Sequence, residues 1–172
     1  MTKWRAISFP INATEEYKKF KKRFNSPKDC VINAFQVMGI VNEITADIMR
    51  IMVGHEGLQE YQIEGIFDYL RSGKTHKFVE YQSQTEIETI LSKMKWKEFP
   101  TILFAGVKYK SGARHVFIIE RSNMDGSFKI IDPHSEKGVI ECGDTTKDFV
   151  DKCLNNVQSL YLLSEKVNQR RR

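Results

Sequence analysis

The 172-residue sequence lacks the features that mark disulfide-rich, zinc-binding and membrane-spanning chains. Its three cysteines, Cys30, Cys142 and Cys153, are an odd number without C-x-x-C spacing, which argues against a disulfide framework and a zinc ribbon. We therefore expect all three thiols to be reduced. No apolar run approaches the roughly 18 residues of a membrane span, and the N-terminus has no apolar signal-peptide region. These absences favour a protein that is made and kept in a cytosol.

The chain also lacks the patterns of nucleic-acid-binding and nucleotide-binding proteins. No aromatic pairs are interleaved with a basic strand, and no glycine-rich phosphate loop occurs. The net charge is +5, from 27 Lys and Arg against 22 Asp and Glu, and part of the excess lies in residues 18–23 and Arg170–Arg172. A basic end of this kind keeps a protein soluble and can contact an acidic partner. We expect no nucleic acid partner.

The composition that is present is that of one folded domain. The chain is 41% hydrophobic, 11% aromatic and 28% charged, which is typical of a soluble globular protein. We expect an N-terminal extension at residues 1–24, made of a strand and a charged helix packed on the domain. Residues 25–165 form the domain itself, and residues 166–172 form a basic C-terminal tail.

The order of the predicted elements indicates an α+β fold. Residues after Cys30 are apolar on most faces and predict a central helix, and residues 43–53 and 58–70 predict an amphipathic pair packed on it. β-Branched and aromatic residues then predict an antiparallel sheet, so that the helical half precedes the sheet half. Strands are predicted at 77–81, 101–108, 115–121, 127–132 and 158–163, and further helices at 13–24, 85–95 and 145–155.

Cys30 stands at the start of the central helix, just after a turn at residues 25–29. Either Ser26 caps this helix with Pro27 in its first position, or Asp29 caps it with Cys30 in its first position. Both alternatives place Cys30 in the first turn. The free N–H groups of a helix start favour the thiolate, as does Lys28, whereas Asp29 opposes it slightly.

His115 and Asp132 are predicted to meet at one edge of the sheet. His115 begins one strand, and Asp132 ends the next, before Pro133. The Asp125-Gly126 turn would join the two strands as an antiparallel hairpin, which brings the two residues side by side. A thiol, an imidazole and a carboxylate are the groups that nucleophilic acyl transfer needs, in the roles of nucleophile, base and orienting group.

Three segments of the sequence resemble the papain-like cysteine peptidase superfamily, especially its compact C39-type processing peptidases. The resemblance covers about residues 25 to 163, and its carriers are DCVINAF, EIETILSKMKWKEFPTILFAG and ARHVFIIERSNMDGSFKIIDPHS. It implies a papain-like fold in which a central nucleophile helix packs on a C-terminal antiparallel sheet. It also implies that Cys30 is the nucleophile, His115 the base and Asp132 the orienting group, with no cofactor or metal.

The sequence departs from this family just before the nucleophile. Those peptidases usually carry a Gln five or six residues before the Cys as an oxyanion donor, whereas this chain has Asn25. Asn25 can donate the same kind of N–H, although its side chain is one methylene shorter. Val31 also stands where an aromatic residue often follows the nucleophile.

Three functions stay open at the level of sequence. The first is a cysteine protease that cuts a peptide bond or the isopeptide bond of a ubiquitin-like conjugate, in a cytoplasm or, for a viral protein or bacterial effector, in the host cytoplasm. The second is a transglutaminase-like acyltransferase, and the third is an inactive binding module of the same fold. Each site residue also has an ordinary structural alternative: Cys30 as a small core residue, His115 as a strand histidine, and Asp132 as a strand stop. His134 and Cys142 are too few to predict a zinc site.

Overall fold

We describe the protein from a computed structural model over residues 3–20, 29–54, 57–94, 96, 99–122, 127–132 and 138–167. The α+β prediction is confirmed: these residues form six helices and an eight-stranded antiparallel sheet. The strands are β1 (Lys3–Ala6), β2 (Ser8–Phe9), β3 (His76–Gln82), β4 (Thr101–Tyr109), β5 (Arg114–Arg121), β6 (Phe128–Ile131), β7 (Val139–Glu141) and β8 (Val157–Val167). The helices are α1 (Ala13–Phe20), α2 (Cys30–Val37), α3 (Glu43–Met52), α4 (Glu60–Leu70), α5 (Gln84–Lys93) and α6 (Thr146–Cys153).

The sheet takes strands from both ends of the chain. Strands β8, β4, β5, β6 and β7 are neighbours in that order, β3 pairs with β8, β1 pairs with β8, and β2 pairs with β4. The predicted order, a helical half before the antiparallel half, therefore describes only part of this sheet. Strands β1, β2 and β3 lie early in the sequence, but their pairing partners lie late, and such long-range pairing leaves no signal in local composition.

Both faces of the sheet are covered by helices. Along β4, Leu103, Ala105 and Val107 belong to the cluster that includes α5 and α6, whereas Ile102 and Phe104 belong to the cluster that includes α1, α2 and α4. Successive side chains of a strand point to opposite faces, and this alternation lets one strand contribute to both clusters. Because β4 is buried on both faces, it is a continuous apolar run instead of an alternating one.

Helix α3 packs on α2, as predicted, but its isoleucines do not make the contact. α4 buries Ile63 and Phe67 against the core, as an amphipathic helix should. The buried residue of α3 is Ala46, and the isoleucines of α3 face the solvent. Periodicity shows that a helix has an apolar face but does not show where that face points.

Cys142 and Cys153 are joined in a disulfide, and Cys30 is the free cysteine. This corrects the expectation of three reduced thiols. Cys142 follows β7 and Cys153 ends α6, and their Cα atoms lie 6.1 Å apart, a separation that a disulfide spans. The spacing of the cysteines in the sequence contains no sign of this pairing, since the fold brings β7 and α6 together. Within the described ranges, the structure has no helix that is long and apolar enough to cross a membrane.

Candidate active site

His115 lies near the start of β5, where the strand is paired on one side. β5 pairs with β4 from Arg114 onward, and its pairing with β6 runs from Ile118 to Arg121. Asp132 directly follows β6. If the register of the β5–β6 pair is continued, Asp132 lies opposite Phe117, which is two residues from His115 on the same face. A diagonal pair of this kind shares one face of a sheet and is close enough for long side chains to meet.

The two side chains form a short, double contact. The Nε2 atom of His115 lies 2.9 Å from Oδ1 and 2.9 Å from Oδ2 of Asp132. Both side chains are largely buried, at 16% and 13% exposed. The main chain at Asp132 is held in turn, because its N–H donates to the carbonyl of Gly138 at 2.7 Å.

The Cys30 thiol is a neighbour of this imidazole: both side chains line one cleft, and Cys30 acts on the pKa of the ring. Cys30 is the first residue of α2, is partly exposed, and is preceded by Asp29 in the N-cap position. The Asp29 side chain makes no capping hydrogen bond. Of the two capping alternatives, the observed helix start places Asp29 at the cap position, while Ser26 and Pro27 lie outside the described residues.

The surroundings of His115 favour its protonated form. Burial by itself lowers the pKa of His115, but the hydrogen bonds to Asp132 and Cys30, and the charges of both groups, outweigh it and raise the pKa to about 9. At neutral pH the ring is thus an imidazolium between a sulfur and a carboxylate. A positive charge beside a sulfur stabilises the thiolate, which is the nucleophilic form of cysteine.

A cleft of about 160 Å³ opens beside Cys30 and His115. It lies between the start of α2, the start of α4 and strands β3, β4 and β5. The apolar residues that line it are Val31, Leu58, Ile63, Phe78, Val107 and Val116. An apolar cleft next to a reactive sulfur can hold the side chain of a bound substrate while it excludes water.

An ion pair stands at the rim of this cleft. Arg114, the neighbour of His115 in β5, donates to Glu60 of α4 at 3.2 Å, and both residues line the cleft. The guanidinium of Arg114 also lies over the ring of Tyr161, 5.7 Å from its centroid. Neither Arg114 nor Glu60 is predictable as a site residue from the sequence, because no sequence pattern shows that α4 and β5 lie side by side.

Tyr17 of α1 is a further residue that sequence reasoning missed. Burial, and next the negative charge of Asp132, raise the pKa of the Tyr17 hydroxyl, so the phenol stays neutral beside the carboxylate. α1 is attached to β5 through Glu120, which accepts a hydrogen bond of 3.1 Å from the N–H of Thr14. This hydrogen bond holds α1, which carries the buried Tyr17, against β5.

Asn25 and His134 lie outside the described residues, so the predicted oxyanion donor and the alternative histidine have no structural description here. Within the described part of the chain, no group of three or more metal-ligating side chains converges. The remaining predicted residues, Cys30, His115 and Asp132, come together from three separate elements.

Comparison with known proteins found one similar solved structure to set beside this geometry. No protein-family model matches the chain, and no curated protein matches its sequence. The crystal structure of the Pseudomonas avirulence protein AvrPphB matches 95% of this chain and 97% of that chain, with 9% sequence identity and a TM-score of 0.40. The function is therefore inferred from the site itself.

Proposed function

We propose that this protein is a cysteine protease of papain-like layout, in which Cys30 is the nucleophile, His115 the general base and acid, and Asp132 the orienting group. The observation that carries the proposal is the position of one imidazole, which contacts the Asp132 carboxylate at 2.9 Å and lines the same cleft as the Cys30 thiol. A nucleophile, a base and a group that orients the base are the minimum for covalent acyl transfer.

The reaction follows from the charge states of these groups. The thiolate of Cys30 attacks the carbonyl carbon of the substrate, and the carbonyl oxygen becomes an oxyanion. The imidazolium of His115 then gives its proton to the leaving amine as the C–N bond breaks, which leaves a thioester on Cys30. Next, neutral His115 takes a proton from water as that water attacks the thioester. The acid is released and Cys30 returns as the thiolate beside the imidazolium.

Asp132 and the start of α2 support these reaction steps, although neither forms a bond to the substrate carbon or transfers a proton. The carboxylate holds Nε2 of His115 and favours the charged ring, so Nδ1 is directed at the sulfur. The first N–H groups of a helix have no partner within the helix, and the Asp29 side chain does not occupy them. We propose the N–H of Cys30 as one donor to the oxyanion, with the side chain of Asn25 as the other.

We propose a protein or peptide as the substrate, cut at a peptide bond or at the isopeptide bond of a ubiquitin-like conjugate. The cleft beside Cys30 has about 160 Å³ and a largely apolar lining, with the Arg114–Glu60 ion pair at its rim. Such a cleft suits an extended chain with one apolar side chain close to the scissile bond. The site requires Cys30 to be reduced, as it is in this structure, in which Cys142 and Cys153 carry the disulfide.

The decisive experiment combines thiol-reactive activity probes with mass mapping. A ubiquitin-type probe and a peptidyl probe are added to wild-type protein, to Cys30→Ala and to His115→Ala. We expect one adduct at Cys30 in the wild type, none in Cys30→Ala, and labelling slowed by at least about a hundredfold in His115→Ala, because the base no longer activates the sulfur. Hydrolysis of the matching fluorogenic substrates should also be fastest in the wild type, slowed in His115→Ala and absent in Cys30→Ala.

The matched control is Cys142→Ala/Cys153→Ala, which removes the disulfide and leaves the site cysteine. This variant should react at Cys30 as the wild type does. A wild-type protein in which Cys30 stays unmodified while a reduced Cys142 or Cys153 reacts would show that the proposed nucleophile is wrong.

A further inference from the structure

Helix α1 lies against the three elements that carry the proposed catalytic residues. It contacts α2, which begins with Cys30, then β5, which carries His115, and β6, which Asp132 directly follows. Ala13, the first residue of α1, is fully buried in the same apolar cluster as residues of α2, β5 and β6. The helix is therefore placed where it can influence how the three side chains are arranged.

Glu120 of β5 fixes the start of α1. Its carboxylate accepts a hydrogen bond of 3.1 Å from the main-chain N–H of Thr14 and a second hydrogen bond from the Thr14 hydroxyl. Glu120 is buried, so these two bonds compensate for the water that its carboxylate has lost. Because Glu120 is paired with Lys129 of β6, this contact fixes α1 relative to the β5–β6 pair.

Tyr17 lies one turn after Thr14, and the hydroxyl end of its side chain packs against Gly138. A Cβ on Gly138 would overlap the hydroxyl oxygen and the neighbouring ring carbons of Tyr17. Tyr17 is only 5% exposed, so the ring is enclosed as well as in contact. The close approach leaves no space for a side chain at residue 138, where the φ of +66° also favours glycine.

Gly138 in turn holds Asp132. The carbonyl of Gly138 accepts a hydrogen bond of 2.7 Å from the N–H of Asp132, and the Asp132 carboxylate lies 2.9 Å from Nε2 of His115. Burial, and next the charge of Asp132, raise the pKa of the Tyr17 hydroxyl, which agrees with a phenol close to this carboxylate. These contacts connect Tyr17 through the Gly138 main chain to the proposed site.

We propose that Tyr17 is a positioning residue, which packs on Gly138 and so fixes the main chain that holds the catalytic carboxylate in place. This inference rests on the proposed catalytic function and adds to it a residue that touches neither the substrate nor the reacting atoms. Without the ring, the main chain around residue 138 can move into the vacated space, and the carboxylate moves with it. A displacement of about 1 Å at a catalytic group can cost on the order of a hundredfold in rate.

The first test measures the pKa of His115 from its ring signals in NMR spectra recorded over a pH series. The chain has four histidines, and the spectrum of His115→Gln identifies the signal to follow. Burial lowers the pKa of His115, but Asp132 and Cys30 raise it to about 9, so we expect that value in the wild type. In Tyr17→Leu, whose side chain is apolar but shorter, the pKa should fall by at least about one unit, because the carboxylate is less closely held.

Three further variants separate positioning from stability. Tyr17→Phe keeps the ring and should keep the wild-type pKa of His115. Tyr17→Met, whose side chain is longer than that of Leu, should lower the pKa less than Tyr17→Leu does. The matched control is Ile87→Ala, at a fully buried residue of α5 on the opposite face of the sheet. It should lose stability in urea unfolding, as Tyr17→Leu does, and still keep the wild-type pKa of His115.

The reactivity of Cys30 is the second readout. Labelling of Cys30 by the peptidyl probe should slow about ten- to a hundredfold in Tyr17→Leu, because the imidazole is no longer correctly oriented. Tyr17→Phe and Ile87→Ala should be labelled at the wild-type rate. A fold that is intact by circular dichroism in every variant makes these rates comparable.

Three results would overturn the proposal. The first is a pKa of His115 that Tyr17→Leu and Tyr17→Met leave unchanged. The second is an equal fall of this pKa in Ile87→Ala, which would make the effect one of stability alone. The third is a fall in Tyr17→Phe as large as in Tyr17→Leu, which would assign the effect to the hydroxyl instead of the packing.

The two readouts also separate this proposal from the proposed function, because the titration needs neither probe nor substrate. If Cys30 of the wild type resists the probe while the pKa of His115 changes in the expected order, the protease is wrong and the role of Tyr17 stands. If Cys30 is labelled while every variant keeps both the wild-type rate and the wild-type pKa of His115, the role of Tyr17 alone is wrong.

Discussion

Nε2 of His115 lies 2.9 Å from each carboxylate oxygen of Asp132, and the same ring lines a cleft together with the Cys30 thiol. This arrangement holds one ring nitrogen at the carboxylate and places the ring in the cleft of Cys30. The pH dependence, the response to substitution and the dependence on neighbouring elements follow from this relationship.

We expect activity to be lost at high pH with an apparent pKa of about 9. The folded-state pKa of His115 is raised from 6.5 to about 9, so the imidazolium is present below that value and is lost above it. The kcat/KM of a peptide substrate should therefore fall as pH rises through about 9.

The same pKa shift stabilises the folded state fully below about pH 6.5, and this contribution to the free energy of unfolding disappears as pH rises to about 9. Rate profiles and urea unfolding at several pH values measure both effects.

Asp132→Asn should lower kcat/KM by about 10²- to 10⁴-fold, because the ring loses the carboxylate that orients it and favours its charge. The high-pH limb of the remaining activity should also move to lower pH, since the pKa of His115 falls when the negative charge is removed. Asp151→Asn, an exposed carboxylate on α6, is the matched control and should keep the wild-type profile. If Asp132→Asn keeps the wild-type kcat/KM and its activity falls at the same high pH as that of the wild type, the role given to Asp132 is wrong.

Gly138→Ala should destabilise the protein and disturb Asp132. Gly138 has a φ of +66°, and a Cβ at this position would overlap the ring of Tyr17. Its carbonyl also accepts the hydrogen bond from the N–H of Asp132. We expect a loss of about 2–5 kcal/mol in the free energy of unfolding, from backbone strain and overpacking together.

Gly73→Ala is the control for this clash. Gly73 has a φ of +84°, but a Cβ there would contact nothing within 4 Å, so this variant tests backbone strain alone. It should cost about 1–2 kcal/mol and leave activity unaltered. If the two variants lose equal stability in urea unfolding, the packing of Tyr17 against residue 138 is not as described.

Arg50→Met should cost about 1–3 kcal/mol in urea unfolding. The substitution keeps the apolar length of the side chain but leaves the buried acceptors of Asn33 and Gln36 without their guanidinium donor. Arg114→Met, at a side chain that is 59% exposed, should cost under about 1 kcal/mol, because an exposed ion pair contributes little. Equal costs would mean that Arg50 does not anchor α3.

Local pattern predicted most elements to within a few residues. The helix predicted at 85–95 is α5 at Gln84–Lys93, with Ser83 as its cap, and the strand predicted at 101–108 is β4 at Thr101–Tyr109. The meeting of His115 and Asp132 was also predictable, because consecutive strands joined by a short turn pair with each other. The three-residue strand β7 was missed, since its pattern is too short to recognise.

The amino-acid sequence by itself determined the α+β class, the position of Cys30 at a helix start and the placement of His115 and Asp132 on neighbouring strands. These depend on periodicity, turns and caps, which act over a few residues. Tertiary structure alone decided the pairing of β1, β2 and β3 with late strands, the Cys142–Cys153 disulfide, the Arg114–Glu60 ion pair and the outward face of α3. Those features depend on contacts between residues far apart in the chain, and periodicity cannot show which partner an apolar or charged face will meet.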